Sequence, residues 1–136
     1  MRLIVDTNII LSALLKEGLN RKIICSKDIE FYTIDYVLDE IRKYMDYIIN
    51  KSEMSKDEIE ILLSLFMENI NILSDEETKQ EIDEAKDIMK LIDINDAPIL
   101  ACALAVQNDG IWTEDKHFDK QKRVKVWHSS DLLAYI

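Results

Sequence analysis

The sequence predicts a single α/β domain spanning residues 1–136, built on a central parallel β-sheet with helices on both faces. Three observations predict it. Short apolar runs alternate with stretches of helical periodicity along the whole chain. The 136 residues are the size of one ordinary domain, able to bury a core without disulfide staples. Only 2 Gly and 1 Pro are present, which leaves little room for a flexible linker.

The elements follow in order. Residues 2–5 (RLIV) read as a buried strand ending at Asp6, and IILSALL supplies a helix from about residue 8. Residues 20–26 extend or follow that helix. The β-branched and aromatic segment 29–34 (IEFYTI) is the second strand. Asp35 is placed to cap the next helix, where Val37, Leu38, Ile41, Tyr44, Met45 and Ile48 recur at helical spacing. Two capping boxes come next. Ser55 and Glu58 open a helix with Ile59, Leu62, Leu63 and Phe66 on its apolar face. Ser74 and Glu77 open another, bearing Ile82, Ala85, Ile88 and Met89, and 69–73 (NINIL) between the two is a strand candidate. Asn95 or Asp96 starts a helix with Pro98 in its first turn, where a missing N–H does no harm. Its almost wholly apolar body, ILACALAV, marks it as buried. Gly110 ends that segment. Strands are expected at 111–113 (IWT) and 124–127 (VKVW), and DLLAYI closes the chain as a short helix.

Composition narrows the functional classes. Apolar residues make up 48% and charged residues 32%, a globular composition rather than a disordered one. No apolar run reaches the roughly 18 to 20 residues needed to span a bilayer, and the N-terminal run is broken by Asp6, Thr7 and Asn8 with no cleavage site after it. The expectation is a cytoplasmic protein without a membrane partner. Cys25 and Cys102 have no companion at metal-binding spacing, and Cys102 reads as a small buried hydrophobe. The net charge of -10 opposes nucleic-acid binding, unless several acids converge on divalent cations that reverse the local field. The basic residues are uneven: Lys116, Lys120, Lys122, Arg123 and Lys125 crowd one stretch, either a solvated loop or a phosphate-binding surface.

Functional residues of parallel sheets gather at the carboxyl ends of strands. Asp6 directly follows the first strand, and Asp115 follows IWT after one intervening residue. Asp96 stands at the N-terminus of a buried helix, where N–H groups and the helix dipole favour an anion. Glu40 lies early in the helix after the second strand. At about 100° per residue it borders the apolar face, whereas Asp39 points towards solvent. Each acid alone has a plain structural reading, as a helix cap or a surface residue. Together they fall at one sheet edge, where their mutual repulsion is relieved by hard cations better than by protons. Oxygen-only ligation suits Mg²⁺ or Mn²⁺, and no Cys/His set is present for zinc. Carboxylate-held Mg²⁺ aligns a phosphodiester and activates a water, so no Ser or Cys nucleophile is required.

At these residues the sequence resembles the PIN-domain family of nucleases. VDTNIIL is similar to that family's strand followed by D-T-N, LDEI to the segment carrying its second acid, and DAPILACALA to its D-A-x-x-L-A-x-A helix. IWTEDKHF resembles its W-T-x-D-x-x-F ending. The resemblance implies Asp6, Glu40, Asp96 and Asp115 as catalytic, metal-holding acids, with Thr113 as a helper. Asn8 would orient Asp6 or hold a metal-bound water, or equally be a helix cap. It further implies a Mg²⁺- or Mn²⁺-dependent endoribonuclease acting on single-stranded RNA. Small stand-alone members include toxins paired with an antitoxin protein, and homodimers.

Two departures stand out. His117 occupies the place of a further acid two residues after Asp115, and Glu114 adds charge where the family is usually neutral. Asp93 could replace the missing acid, although a turn role is favoured, and Asp119 is an outside candidate. His128 reads as structural. Trp112 and Trp127 read as core or interface residues on which a base could stack if they were exposed. The competing readings are a non-catalytic PIN-like binding or scaffold module, and a phosphoacceptor domain with a lone Asp at a strand exit. A haloacid-type phosphatase is set aside because D-T-N lacks the second Asp of D-x-D.

Overall fold

A computed structural model describes residues 1–136. Its sheet contains β1 (Arg2–Val5), β2 (Glu30–Ile34), β3 (Ile70–Leu73), β4 (Gly110–Trp112) and β5 (Val126–Trp127), in the order β3-β2-β1-β4-β5. Every neighbouring pair is parallel. Leu3, Ile4 and Val5 are all fully buried, although successive side chains of a strand point to opposite faces. Both faces of the sheet centre are therefore covered, as an all-parallel sheet requires.

The cover comes from α1 (Thr7–Leu15), α2 (Leu19–Ile24), α3 (Asp35–Lys43), α4 (Met45–Ser52), α5 (Lys56–Met67), α6 (Asp75–Thr78), α7 (Ile82–Met89) and α8 (Ala97–Ala105). One group gathers around α1, which packs with α2, α3, α4 and α5. The other gathers around α8, which packs on β1, β2 and β4 and against α6 and α7. The apolar body of α8 explains its place: Ala97, Ile99, Leu100, Ala101, Cys102 and Ala103 are all buried. Burial also pushes the Cys102 thiol up to about 12, so this cysteine is an inert core group. No helix is long and apolar enough to cross a membrane.

Several boundaries differ from the sequence expectation. The helix expected across 37–48 breaks at Tyr44, whose N–H donates to Ile41 in a tightened final turn before α4 starts. Val37, Ile41, Met45 and Ile48 stay buried across the break, so the apolar period carries no sign of it. Asp35 is the first helical residue rather than the cap, and it places a negative charge in the first turn. The Ser74–Glu77 capping box forms, but α6 ends at Thr78 and a 3₁₀ turn precedes α7. The last strand begins at Val126, because the Gln121 amide satisfies the backbone N–H and C=O of Val124 instead. The C-terminal segment Ser129–Tyr135 is 3₁₀. Gly110 opens β4 rather than merely ending a helix. It has φ +143, and a Cβ there would stand 2.5 Å from the Lys125 carbonyl oxygen, so only glycine lets β4 and β5 approach.

Strand order runs one way from β1 to β2 and β3 and the other way to β4 and β5, so the chain changes direction between β1 and β4. A parallel sheet opens a crevice at the carboxyl ends of two such strands. Asp6 and the segment 113–115 leave the sheet there.

Candidate active site

Asp6 is the centre of a small hydrogen-bonded web. It caps α1, its Oδ1 accepting from the Thr7 N–H at 2.7 Å, and its own N–H donates to the Trp112 carbonyl at 3.1 Å. Oδ2 accepts from Thr113 Oγ1 at 2.8 Å and from Asn8 Nδ2 at 3.3 Å. The fully buried Thr113 hydroxyl spends its one proton on Asp6 and accepts from Asn8 Nδ2 (3.2 Å) and the Asp115 N–H (2.9 Å). Thr113 thus ties the carboxyl end of β4 to that of β1. Asn8 is not a cap. Its amide braces Asp6 and Thr113, and its Oδ1 accepts from the Glu114 N–H at 3.4 Å.

Glu40 points inward from α3, and its Oε1 accepts from Thr7 Oγ1 at 2.7 Å. Asp39 faces solvent, as the helical period predicts. Asp96 occupies the cap position of α8 but makes no capping hydrogen bond, so its carboxylate is free to face the crevice. Asp93 has the expected turn role through Oδ1, which accepts from the Asn95 N–H at 3.0 Å. Its Oδ2 does something else: it faces His117. The His117 Nδ1 stands 3.5 Å from Asp93 Oδ2, 3.6 Å from Asp96 Oδ2 and 3.4 Å from Asp115 Oδ1. The imidazole, read from sequence only as a missing acid, is a member of the cluster.

Asp6, Thr7, Asn8, Tyr36, Glu40, Asp93 and Asp96 line one cleft of about 280 Å³, with Asp115 beside it through His117 and Thr113. Asp6, only 7% exposed, has its carboxyl pushed up to about 6 by burial, with the Asp115 and Glu40 charges adding to the rise. Hydrogen bonds from Thr113 and Thr7 oppose it. Asp96 is pushed up to about 7 by burial and then by the Asp115, Asp6 and Asp93 charges. Burial and the Glu40 and Asp96 charges likewise raise the Tyr36 phenol. These carboxylates act as one electrostatic unit. Two of its atoms, Asp96 Oδ2 and His117 Nδ1, are buried without any hydrogen-bond partner. Buried polar atoms rarely stay unpaired, and a divalent cation would satisfy both while relieving the repulsion. The residues fit such an ion.

The sequence matches the PIN domain family over residues 4–136. The chain belongs to the PIN-domain family. A PIN domain is a nuclease-type fold whose members generally depend on a divalent metal. A comparison with curated proteins gives no match.

The remaining sequence candidates of this PIN domain divide clearly. Lys116 and Lys120 are exposed beside the Asp115 segment and bond to nothing. Lys122 Nζ donates to the Asp119 carbonyl, Arg123 pairs with Glu84 on α7 at 3.7 Å, and Lys125 lies over the Trp127 ring. Residues 123–125 precede β5, so they stand at the opposite sheet edge from the acids. The basic stretch therefore does not sit as one patch beside Asp115. Glu114 turns away from the cleft, accepting from the Ser129 N–H at 2.7 Å. His128 is structural: Nδ1 donates to the Thr113 carbonyl at 2.8 Å, and Nε2 faces Asp119 Oδ1 at 3.3 Å. Trp112 and Trp127 are core residues closed to a stacking base, their indole N–H groups bonded to Ser129 Oγ and the Asp109 carbonyl. Sequence reasoning passed over Thr7, Tyr36 and the Asp93–His117 pairing. Thr7 alone left a signal, as the middle residue of D-T-N.

Proposed function

We propose that this protein is a divalent-metal-dependent endoribonuclease that hydrolyses phosphodiester bonds of single-stranded RNA. The observation that carries the reading is the convergence of Asp6, Glu40, Asp96 and Asp115 at the β1/β4 crevice, with Asp96 Oδ2 buried and unpaired. Asp6, Asp96 and Asp115, with Glu40 behind Asp6, would hold the cation. When bound, Mg²⁺ or Mn²⁺ supplies charge for the scissile phosphate and lowers the pKa of an attacking water. The protein's own part is positional. Thr113 and Asn8 fix the Asp6 carboxylate, and Thr7 fixes Glu40. The cleft of about 280 Å³ has room for a phosphodiester unit, and the choice of single-stranded RNA rests on the family resemblance. Lys116 and Lys120, free and on the Asp115 side, would meet the neighbouring backbone phosphates. A role as the toxin of an antitoxin pair, and a homodimeric state, are part of the same proposal and rest on the family resemblance.

One observation favours a second reading, a PIN-like binding module without catalysis. His117, if protonated, would itself supply positive charge among three carboxylates. The discriminating experiment incubates the wild type and Asp96→Asn with single-stranded and structured RNA, in Mn²⁺ or in chelator. Metal-dependent cleavage of the single-stranded RNA by the wild type alone is expected. Absence of cleavage together with absence of calorimetric metal binding would replace the nuclease by the binding module.

A further inference from the structure

We infer that His117 is itself a metal ligand, and that Asp93, Asp96 and His117 form a mixed nitrogen–oxygen cation site in this PIN domain that selects Mn²⁺ over Mg²⁺. The inference rests on the reading that this crevice holds a divalent cation. It shares Asp96 with the acids proposed above to hold the cation and adds His117 and Asp93, with Asp115 Oδ1 facing the imidazole at 3.4 Å.

Geometry is the first support. Ligand atoms about 2.1 Å from a common ion stand roughly 3.0–3.5 Å from their neighbours. His117 Nδ1 lies 3.4–3.6 Å from the three carboxylate oxygens around it. The Asp93, Asp96 and His117 donor atoms all fall within 4.8 Å of one another. This is the spacing of atoms gathered around a shared centre.

The missing hydrogen bonds are the second support. An imidazole nitrogen has one proton at most, so it cannot serve three carboxylates. Nδ1 in fact makes no directed hydrogen bond to any of them, and Asp96 Oδ2 is equally unpaired. Both atoms are buried even though the His117 side chain as a whole is 44% exposed. A simple His–Asp contact would turn the ring onto one acceptor. The backbone here is fixed separately: the His117 main-chain N–H donates to Asp115 Oδ1 at 2.9 Å, at the start of the 3₁₀ turn Lys116–Lys120.

The choice of ion follows from ligand type. Carboxylates alone serve Mg²⁺ well, but Mg²⁺ gains little from imidazole and gives up its waters reluctantly. Mn²⁺ accepts both carboxylate oxygen and imidazole nitrogen, so one nitrogen in the set shifts preference towards it. Asp93 completes the charge that a family acid at position 117 would have supplied.

Binding can be read without any RNA. Pulsed electron paramagnetic resonance of Mn²⁺ bound to the full chain is expected to show ¹⁴N modulation from a coordinated imidazole. That modulation is expected to survive in His128→Gln and vanish in both His117→Asp and His117→Gln, while Mn²⁺ stays bound to His117→Asp. In competition calorimetry, His117→Asp should narrow the Mn²⁺/Mg²⁺ affinity ratio by about tenfold. Mn²⁺ bound with no nitrogen signal in the wild type overturns the His117 assignment and leaves the metal-site reading standing. No Mn²⁺ bound at all overturns both.

Discussion

Replacing Asp6 by Asn should make the metal-free protein more stable at alkaline pH while abolishing the proposed RNA cleavage. The magnitude follows from burial. The folded carboxyl titrates at about 6 against an ordinary 3.8, so holding it ionised at pH 8 costs roughly 3 kcal/mol of stability. At pH 4.5, where the folded group keeps its proton and the unfolded one has mostly lost it, the same group costs about 1 kcal/mol. The folded state binds more protons than the unfolded state between these values, so the Asp6 contribution falls by about 2 kcal/mol as pH rises from 4.5 to 8 and is flat beyond. Asn cannot ionise. It offers one acceptor oxygen to three donors, Thr7 N–H, Thr113 Oγ1 and Asn8 Nδ2, and losing one of those bonds costs about 1–2 kcal/mol. The variant should therefore exceed the wild type by about 1–2 kcal/mol at pH 8 and lose that advantage at pH 4.5. In a domain of this size 1 kcal/mol moves Tm by roughly 3–5 °C. The assay is urea denaturation of both proteins at the two pH values in chelator, repeated with Mn²⁺. A cation at 100 times its Kd restores about 2.7 kcal/mol to whichever protein binds it, so Mn²⁺ should favour the wild type. A stability difference between variant and wild type that is the same at pH 4.5 and pH 8 would refute the reasoning.

Other perturbations test the frame around Asp6. Thr113→Val keeps the shape but removes the bond to Asp6 Oδ2 and the acceptor of the Asp115 N–H; a loss of roughly 1–3 kcal/mol and weaker Mn²⁺ binding are expected, read by denaturation and calorimetry. Gly110→Ala places a Cβ 2.5 Å from the Lys125 carbonyl oxygen at φ +143 and should cost about 2–4 kcal/mol; an unchanged Tm would contradict the close approach of β4 and β5. Lys116→Ala should lower the salt dependence of RNA binding by about one ion, whereas Arg123→Ala, on the far sheet edge, should leave it unchanged. Equal effects of the two substitutions would speak against the placement of the nucleic-acid path.

Much of this could be read from the residues in order. The strands, the Ser55 capping box and the buried helix starting after Asp96 are local matters, decided by periodicity, propensity and cap chemistry within a few residues. The inward turn of Glu40 and the outward turn of Asp39 follow from helical geometry alone. Boundaries differ where the backbone takes a partner a few residues away that hydrophobic periodicity does not register. Gln121 claims the backbone of Val124 and shortens the last strand, and the break at Tyr44 leaves the apolar period untouched.

The residues by themselves determined which chemistry is available: an acid at each of several strand exits, and a sheet whose carboxyl edge collects them. Only the tertiary structure decided how those acids are shared. Side-chain contacts between residues such as Asp6 and Thr113, 107 positions apart, depend on which strands pair and how their ends align. The same packing gives Asp93 a second face beyond its turn, draws His117 in among three carboxylates and sends Arg123 to the opposite edge. Sequence spacing specifies the direction a side chain leaves its own element. What stands in front of it is set by burial of the whole sheet, which brings together groups that no local pattern connects.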